Sequence, residues 1–230
     1  MKVAVLQSNY IPWKGYFDII HDVDLFIFYD DVQYTRNDWR NRNRIKSRQG
    51  SSWLTIPVHG GPDDLIHEVG FADPRWQQQH WRTLSQTYAR SPFFAEYRAL
   101  LEHVYLGTQW SSLSTLNQHL VRLISHEALG IETRFADSRE YRVIGSRQDR
   151  LLDLLAQCGT KSYVSGPAAR EYIDESRFVA SGIELIWKDY SGYPEYRQLS
   201  EPFEHAVSVL DLLFNIGPEA PRYIWGWRER

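Results

Sequence analysis

Residues 3–6, Val-Ala-Val-Leu, form a short apolar run that turns polar at Gln7-Ser8-Asn9, a pattern that predicts a buried strand. Pro12 and Gly15 bracket the loop that follows. Tyr16, Phe17, Ile19, Ile20 and Val23 then recur at three- and four-residue spacing, which predicts a helix. Leu25-Phe26-Ile27-Phe28-Tyr29, closed by Asp30-Asp31, predicts a second strand. A strand-loop-helix-strand unit of about 30 residues is the signature of a parallel sheet. Residues 53–58 predict a third strand, with Pro57 favouring an end or an edge. From residue 73 to 131 the pattern is helical, clearest over 94–106 and over 113–129, the latter stopped by Gly130. Further strands are predicted over 133–136, 162–165 and 183–187, and helices over 149–158 and 206–215. Gly166-Pro167 reads as a turn and helix start, since Pro suits a first helical turn. Strands at both ends with helices between them predict one α/β domain over residues 1–230, its parallel core interrupted by a mainly helical insertion at 73–131. The alternative is a split near residue 72.

Composition narrows the class. With 43% hydrophobic and 24% charged residues among 230, the chain reads as soluble and globular rather than disordered. No apolar run approaches the ~20 residues of a membrane helix, and the N-terminus lacks a signal-peptide core. Cys158 stands alone, which excludes an intramolecular disulfide and a cysteine-rich metal site and suits a reducing cytoplasm. The histidines show no ligand-like spacing, so no protein-built metal site is expected. Nine Trp and fourteen Tyr are compatible with a homodimer interface. Arg outnumbers Lys by 21 to 5. The guanidinium is a rigid planar fork suited to phosphate and carboxylate.

Four stretches carry candidate chemistry. Ligands of open α/β sheets bind beyond the carboxyl ends of the strands, where Gln7, Asn9, Tyr10, Trp13, Lys14, Gly15 and Tyr16 fall after strand one. Gly15 would admit a phosphate to the backbone, and Lys14 would add charge. The second stretch holds Asp30, Asp31, Gln33, Arg36, Trp39, Arg40, Asn41, Arg42, Asn43, Arg44 and Lys46. Between Arg36 and Arg48 six cations face one acid, a local balance of +5 in a chain of net charge −3. That asymmetry points to a nucleotide, a nucleotide sugar or RNA, with Trp39 able to stack a base. A half-exposed strand or solvated loop is the plainer alternative. Asp30 is a candidate proton carrier, and a phosphate-bearing substrate could bring Mg²⁺ to it or to Asp31. Third, His80 on a helix is the histidine best placed for acid–base work. Fourth, Ser165 and Gly166, with Asp189 and Tyr190, fall at later strand ends, where they could complete a cleft around a polyol.

Gln7-Ser8-Asn9-Tyr10-Ile11-Pro12-Trp13-Lys14-Gly15-Tyr16-Phe17-Asp18 closely resembles the opening of the WbqC-like family. Asp30-Asp31-Val32-Gln33-Tyr34, Trp39-Arg40-Asn41-Arg42-Asn43-Arg44-Ile45-Lys46 and Trp53-Leu54-Thr55-Ile56-Pro57-Val58 extend the likeness, as do His80-Trp81 and Tyr163-Val164-Ser165-Gly166-Pro167. The resemblance implies a bacterial protein of surface-polysaccharide (O-antigen) assembly. The expected activity is group transfer on a nucleotide-linked or otherwise phosphorylated sugar, such as acyl or aminoacyl transfer to an amino sugar. A non-catalytic module binding nucleotide, RNA or aminoacyl-tRNA for a partner enzyme is the alternative. The strand–Pro12–helix segment also resembles the HxGH region of nucleotidylyltransferases, which implies a Rossmann-like core. Trp13 and Tyr16 stand here where that motif has its two histidines.

Overall fold

A computed structural model describes residues 1–61 and 63–228. The opening unit is β1 (Lys2–Leu6), α1 (Lys14–His21) and β2 (Leu25–Phe28). A hairpin, β3 (Arg42–Ser47) and β4 (Gly50–Thr55), and a small ribbon, β5 (Val58–His59) and β6 (Gly70–Phe71), come next. The helices α2 (Trp76–Tyr88), α3 (Phe94–Glu102) and α4 (Leu113–Leu123) follow. Then come β7 (Arg134–Asp137), α5 (Arg147–Gln157), β8 (Ser162–Ser165), α6 (Glu175–Ala180), β9 (Glu184–Trp187) and α7 (Val209–Ile216).

Five parallel strands lie in the order β7-β2-β1-β8-β9, with Val3 of β1 opposite Leu25 on one side and Tyr163 on the other. Successive side chains of a strand point to opposite faces. Ala4, Phe26, Phe28 and Val164 therefore join one core with Phe17, Ile19 and Ile20 of α1 and Leu210 and Leu213 of α7. Val3, Val5, Leu25, Ile27 and Tyr163 join the other, beneath Leu154 and Leu155 of α5 and Phe178 of α6. Strands buried on both faces read as continuous apolar runs, which is why β1 and β2 were legible from hydrophobicity alone. The arrangement is an α/β, Rossmann-like sheet. Among the described residues no helix is long and apolar enough to cross a membrane.

The helical segment adds its apolar side chains to the first of these cores. Trp76, Trp81, Leu84 and Tyr88 of α2 and Leu116, Leu120 and Val121 of α4 belong to the same cluster as α1 and α7. Two helices run on as wider π turns, His103–Gly107 after α3 and Ile124–Ala128 after α4, and Gly130 follows the second at φ +64. The third strand differs from expectation. Trp53, Leu54 and Thr55 belong to β4, antiparallel to β3 and outside the five-stranded sheet, and Val58 starts the separate ribbon. Pro57 lacks the N–H that a continued ladder needs. Gly50 at φ +110 lets the chain reverse after Ser47, so residues 42–55 satisfy one another. Gly166-Pro167 opens a short 3₁₀ turn, Pro167–Glu171, rather than an α-helix.

From β1 the chain passes through α1 to β2 on one side, and from β7 it returns through α5 to β8 on the other. This reversal at β1 opens a crevice beyond the carboxyl ends of β1 and β8.

Candidate functional site

The loop after β1 is fastened from beneath. Asp30, fully buried at the end of β2, accepts hydrogen bonds from the Ser8 N–H (2.8 Å), Ser114 Oγ (2.5 Å) and Gln118 Nε2 (3.1 Å). Asn43 Nδ2 donates to the carbonyls of Tyr10 (3.1 Å) and Ile11 (3.0 Å), and the Tyr10 N–H donates to Trp39 O (3.0 Å). Asn41 Nδ2 donates to Ile56 O at 2.9 Å, and Asn117 Nδ2 to Arg40 O at 2.8 Å. Asn43 thus holds the hairpin to the β1 loop, while Asn41 ties the start of the hairpin to the residue that follows its second strand. A buried amide can satisfy two backbone carbonyls at once without bringing a charge inside.

Above this floor lies a cavity of about 870 Å³, within the roughly 300–1,000 Å³ typical of ligand pockets. Leu6 at the end of β1 and Gln7 and Asn9 in the loop after it line the cavity, with Ser165 and Gly166 at the end of β8 and Ser146, Arg147, Gln148 and Asp149 at the start of α5. Tyr29, Val32, Tyr163, Ala169, Tyr172 and Ile173 supply apolar and aromatic wall. Arg40 enters from the turn before β3. Its Nη1 donates to Asn9 Oδ1 at 2.6 Å and its Nη2 to Gln7 Oε1, while its Nε is buried without a partner. Asp38 Oδ2 is 3.5 Å away. Partial burial pushes the Asp38 carboxyl up, but Arg40, the Thr35 hydroxyl and the Trp39 N–H together hold it below its ordinary value. Two neutral amides therefore fix the Arg40 guanidinium, and its charge is only partly offset. Arg177 and Asp149 form an ion pair in the cavity lining. Ser146 caps α5 with no side-chain hydrogen bond.

Gln7, Asn9, Arg40, Ser165 and Gly166 are the anticipated residues that meet in this cavity. The others lie elsewhere. Lys14 is buried beneath the rings of Tyr193 (4.9 Å), Tyr196 (5.5 Å) and Phe203 (5.9 Å), with Nζ donating to Pro194 O at 3.2 Å. Burial lowers its pKa to about 8, against the opposing pull of Asp18 and Glu195. Trp13 packs edge-on against Tyr190 and Tyr193, and a Cβ on Gly15 would come within 2.3 Å of the Trp13 ring. Gly15 thus makes room for an indole. The Tyr16 hydroxyl donates to Gln7 O at 2.9 Å, Asp31 accepts from Arg150 and from Ser138 Oγ (2.5 Å), and Gln33 forms an isolated bridge with Leu65. Asp189 Oδ1 accepts the Ser191 N–H at 2.8 Å in an exposed turn.

His80 does not line the cavity. Its Nε2 donates to Thr55 O (3.1 Å), leaving Nδ1 to accept from the Tyr10 hydroxyl (2.8 Å), which in turn accepts from Tyr105 (2.6 Å). Burial lowers its pKa to about 4, although the Thr55 carbonyl favours the charged form. The basic run divides by side. Lys46 turns inward to Pro202 O, Arg36 donates to Gly60 O at 3.1 Å, Arg44 pairs with Glu204, and Arg42 lies over Trp53. Sequence reasoning did not anticipate the start of α5 or Tyr29, Tyr172, Ile173 and Arg177. Ser146 carried a signal, a capping residue opening the helix that leads to a parallel strand, whereas Arg177 carried none. Among the described residues no three His, Cys, Asp or Glu side chains gather closely enough to hold a metal ion.

Residues 7–223 match the sequence model of the WbqC-like protein family. The chain is 49% identical over 225 residues to the protein named Uncharacterized protein Rv1507c from Mycobacterium tuberculosis, covering 97% of each. No solved structure matches it.

Proposed function

The chain belongs to the WbqC-like protein family, and we propose that it binds a nucleotide-linked, phosphate-bearing sugar in the cavity beyond β1 and β8 and carries out a group transfer on it. The observation that carries this reading is the Arg40 guanidinium, held in the cavity wall by the neutral side chains of Gln7 and Asn9. A cation anchored by amides keeps N–H capacity and charge for an incoming anion, and phosphate is the anion that a planar fork suits best. The apolar wall from Val32 to Ile173, with Tyr29 and Tyr172, suits a base or sugar face.

In this reading the acceleration comes from positioning and from stabilising developing negative charge, supplied by Arg40. Asp30 and His80 hold the cavity floor and the hairpin in place. A cytoplasmic setting fits an activated sugar donor, and acyl or aminoacyl transfer to an amino sugar is the class to assay first. One observation favours a second reading, a non-catalytic nucleotide-binding module serving a partner enzyme. Among the described residues the lining side chains include no histidine, and their one carboxylate, Asp149, is paired with Arg177.

The test is a thermal-shift panel of nucleoside mono- and diphosphates, nucleotide sugars and acyl-CoA species, with and without Mg²⁺. A ligand at 100 times its Kd adds about 2.7 kcal/mol, a visible rise in midpoint. A hit lost in Arg40→Ala supports the reading, and a blank panel overturns it. Turnover of the hit ligand with an amino-sugar acceptor separates enzyme from binding module.

A further inference from the structure

The outer face of the β3–β4 hairpin is a second feature, separate from the cavity. Strand alternation turns Asn43 and Ile45 inward, and both are buried. The opposite set, Arg42 and Arg44 on β3 with Trp53 on β4, stays outside, and Arg44 lies directly across from Trp53. Trp53 is 46% exposed and Trp39 is 40% exposed, and their rings lie 5.4 Å apart. The Arg42 guanidinium sits 4.3 Å over the Trp53 ring and donates to Asn37 O. Arg36 likewise donates to a neutral carbonyl, that of Gly60. Glu204 pairs with Arg44, whereas among the described residues neither Arg42 nor Arg36 forms a salt bridge, although Arg42 helps to hold the Asp38 carboxyl below its ordinary value. The result is a ladder of guanidinium and two indoles, open to solvent and bordered by cations.

We propose that this face binds single-stranded nucleic acid, with bases stacking on Trp39 and Trp53 and phosphates bonding to Arg36 and Arg42. Three features point to that occupant. A guanidinium over an indole ring can still offer hydrogens to phosphate oxygens, and in Arg42, where one Nη donates to Asn37 O and Nε is buried, that role falls to the other Nη. Exposed indole faces stack unpaired bases, which a duplex keeps hidden inside its own stack. The charge is complementary as well, because this segment is strongly basic in a chain whose net charge is −3. The platform also shares its turn with the cavity. Asp38 accepts the Trp39 N–H at 2.7 Å and lies 3.5 Å from Arg40, so a strand on the platform would end beside the cavity wall.

The experiment is fluorescence anisotropy with labelled twelve-nucleotide single-stranded RNA and DNA, a matched duplex and a sulfated polysaccharide, over a salt series. Saturable binding of a single strand in preference to the duplex and the polysaccharide is expected. Trp39→Ala and Trp53→Ala should each weaken it about tenfold, and Arg42→Gln should flatten the log–log salt slope by about 0.7. Trp53→Phe should retain most of the affinity, which separates stacking from folding. Arg177→Ala, in the cavity lining and not on the hairpin face, should leave it unchanged, so this proposal and the cavity reading fail independently. Comparing RNA with DNA identifies which strand chemistry is read. No binding to either strand overturns the proposal. So does equal binding of all polyanions with the Trp variants silent. Sedimentation showing a dimer that Trp53→Ala dissociates, with no oligonucleotide bound, assigns the face to a second copy instead.

Discussion

The hydroxyl of Tyr10 donates to Nδ1 of His80 across 2.8 Å, and the two residues are 70 positions apart. The bond ties the β1 loop to α2 through a neutral imidazole, and burial keeps the imidazole neutral down to about pH 4. Its ordinary value is 6.5, so folding disfavours its protonation. The contribution is present above pH 6.5 and is lost as pH falls through about 4, with a magnitude of roughly 3 kcal/mol. Asp211 runs the other way. Burial raises it to about 6, against hydrogen bonds from Tyr196, Tyr88 and Gln198, so its contribution is present below 3.8 and is lost as pH rises through 6. The two partly cancel between pH 4 and 6.5. His80→Gln should therefore be less stable than wild type at pH 7, with the gap closing toward pH 4. Urea midpoints measured at half-unit pH steps would show this, and a constant gap would refute the assignment.

Arg40 is expected to act on ligand affinity rather than on stability. Its bonds to Asn9 and Gln7 join polar partners at the cavity wall, where water can replace them. Arg40→Ala should weaken a phosphate-bearing ligand by about 10- to 100-fold, the worth of one charged hydrogen-bond set. Arg40→Lys should not restore it, because a point charge cannot reach both amides and the ligand. Calorimetric titration reads the effect directly.

Gly15→Ala separates packing from phosphate approach. The new methyl would press on the Trp13 ring at 2.3 Å and displace it from Tyr190 and Tyr193. A loss of roughly 1–3 kcal/mol is expected from overpacking. Ligand affinity of the folded protein should stay near wild type. A large loss of affinity at unchanged stability would instead place Gly15 against a phosphate.

Asp30→Asn should destabilise by roughly 2–4 kcal/mol. Its carboxylate accepts from three donors, Ser8, Ser114 and Gln118, and a side-chain amide turns one acceptor into a fourth donor. Denaturant unfolding measures the loss. If Asp30 carried protons for the reaction, turnover would collapse while the midpoint held.

The sequence by itself determined the sheet's central strands, the helix between the first two, and the polar strand ends that line the cavity. The reason is that a doubly buried parallel strand must be apolar throughout and must end where polar side chains begin, and both features are local. Gln7, Asn9, Ser165 and Gly166 were found by that rule. Residue type also marked Arg40 within its basic run, though not its separation from Arg42 and Arg44. That separation needed the hairpin: alternation on β3 sends Asn43 and Ile45 inward and the two arginines outward, while Arg40, two residues before β3, turns toward the β1 loop. His80 and Lys14 show the same dependence. Each has a side chain suited to chemistry, and each is sealed by partners between 25 and 189 positions away, Thr55 for the first and Phe203 for the second. Tertiary packing alone decides whether a titratable group meets solvent, because desolvation depends on everything that surrounds it and not on its neighbours in the chain. Arg177 and Tyr172 were invisible for that reason too, since only the return of the chain through α5 and β8 brings them to the cavity that Arg40 also lines.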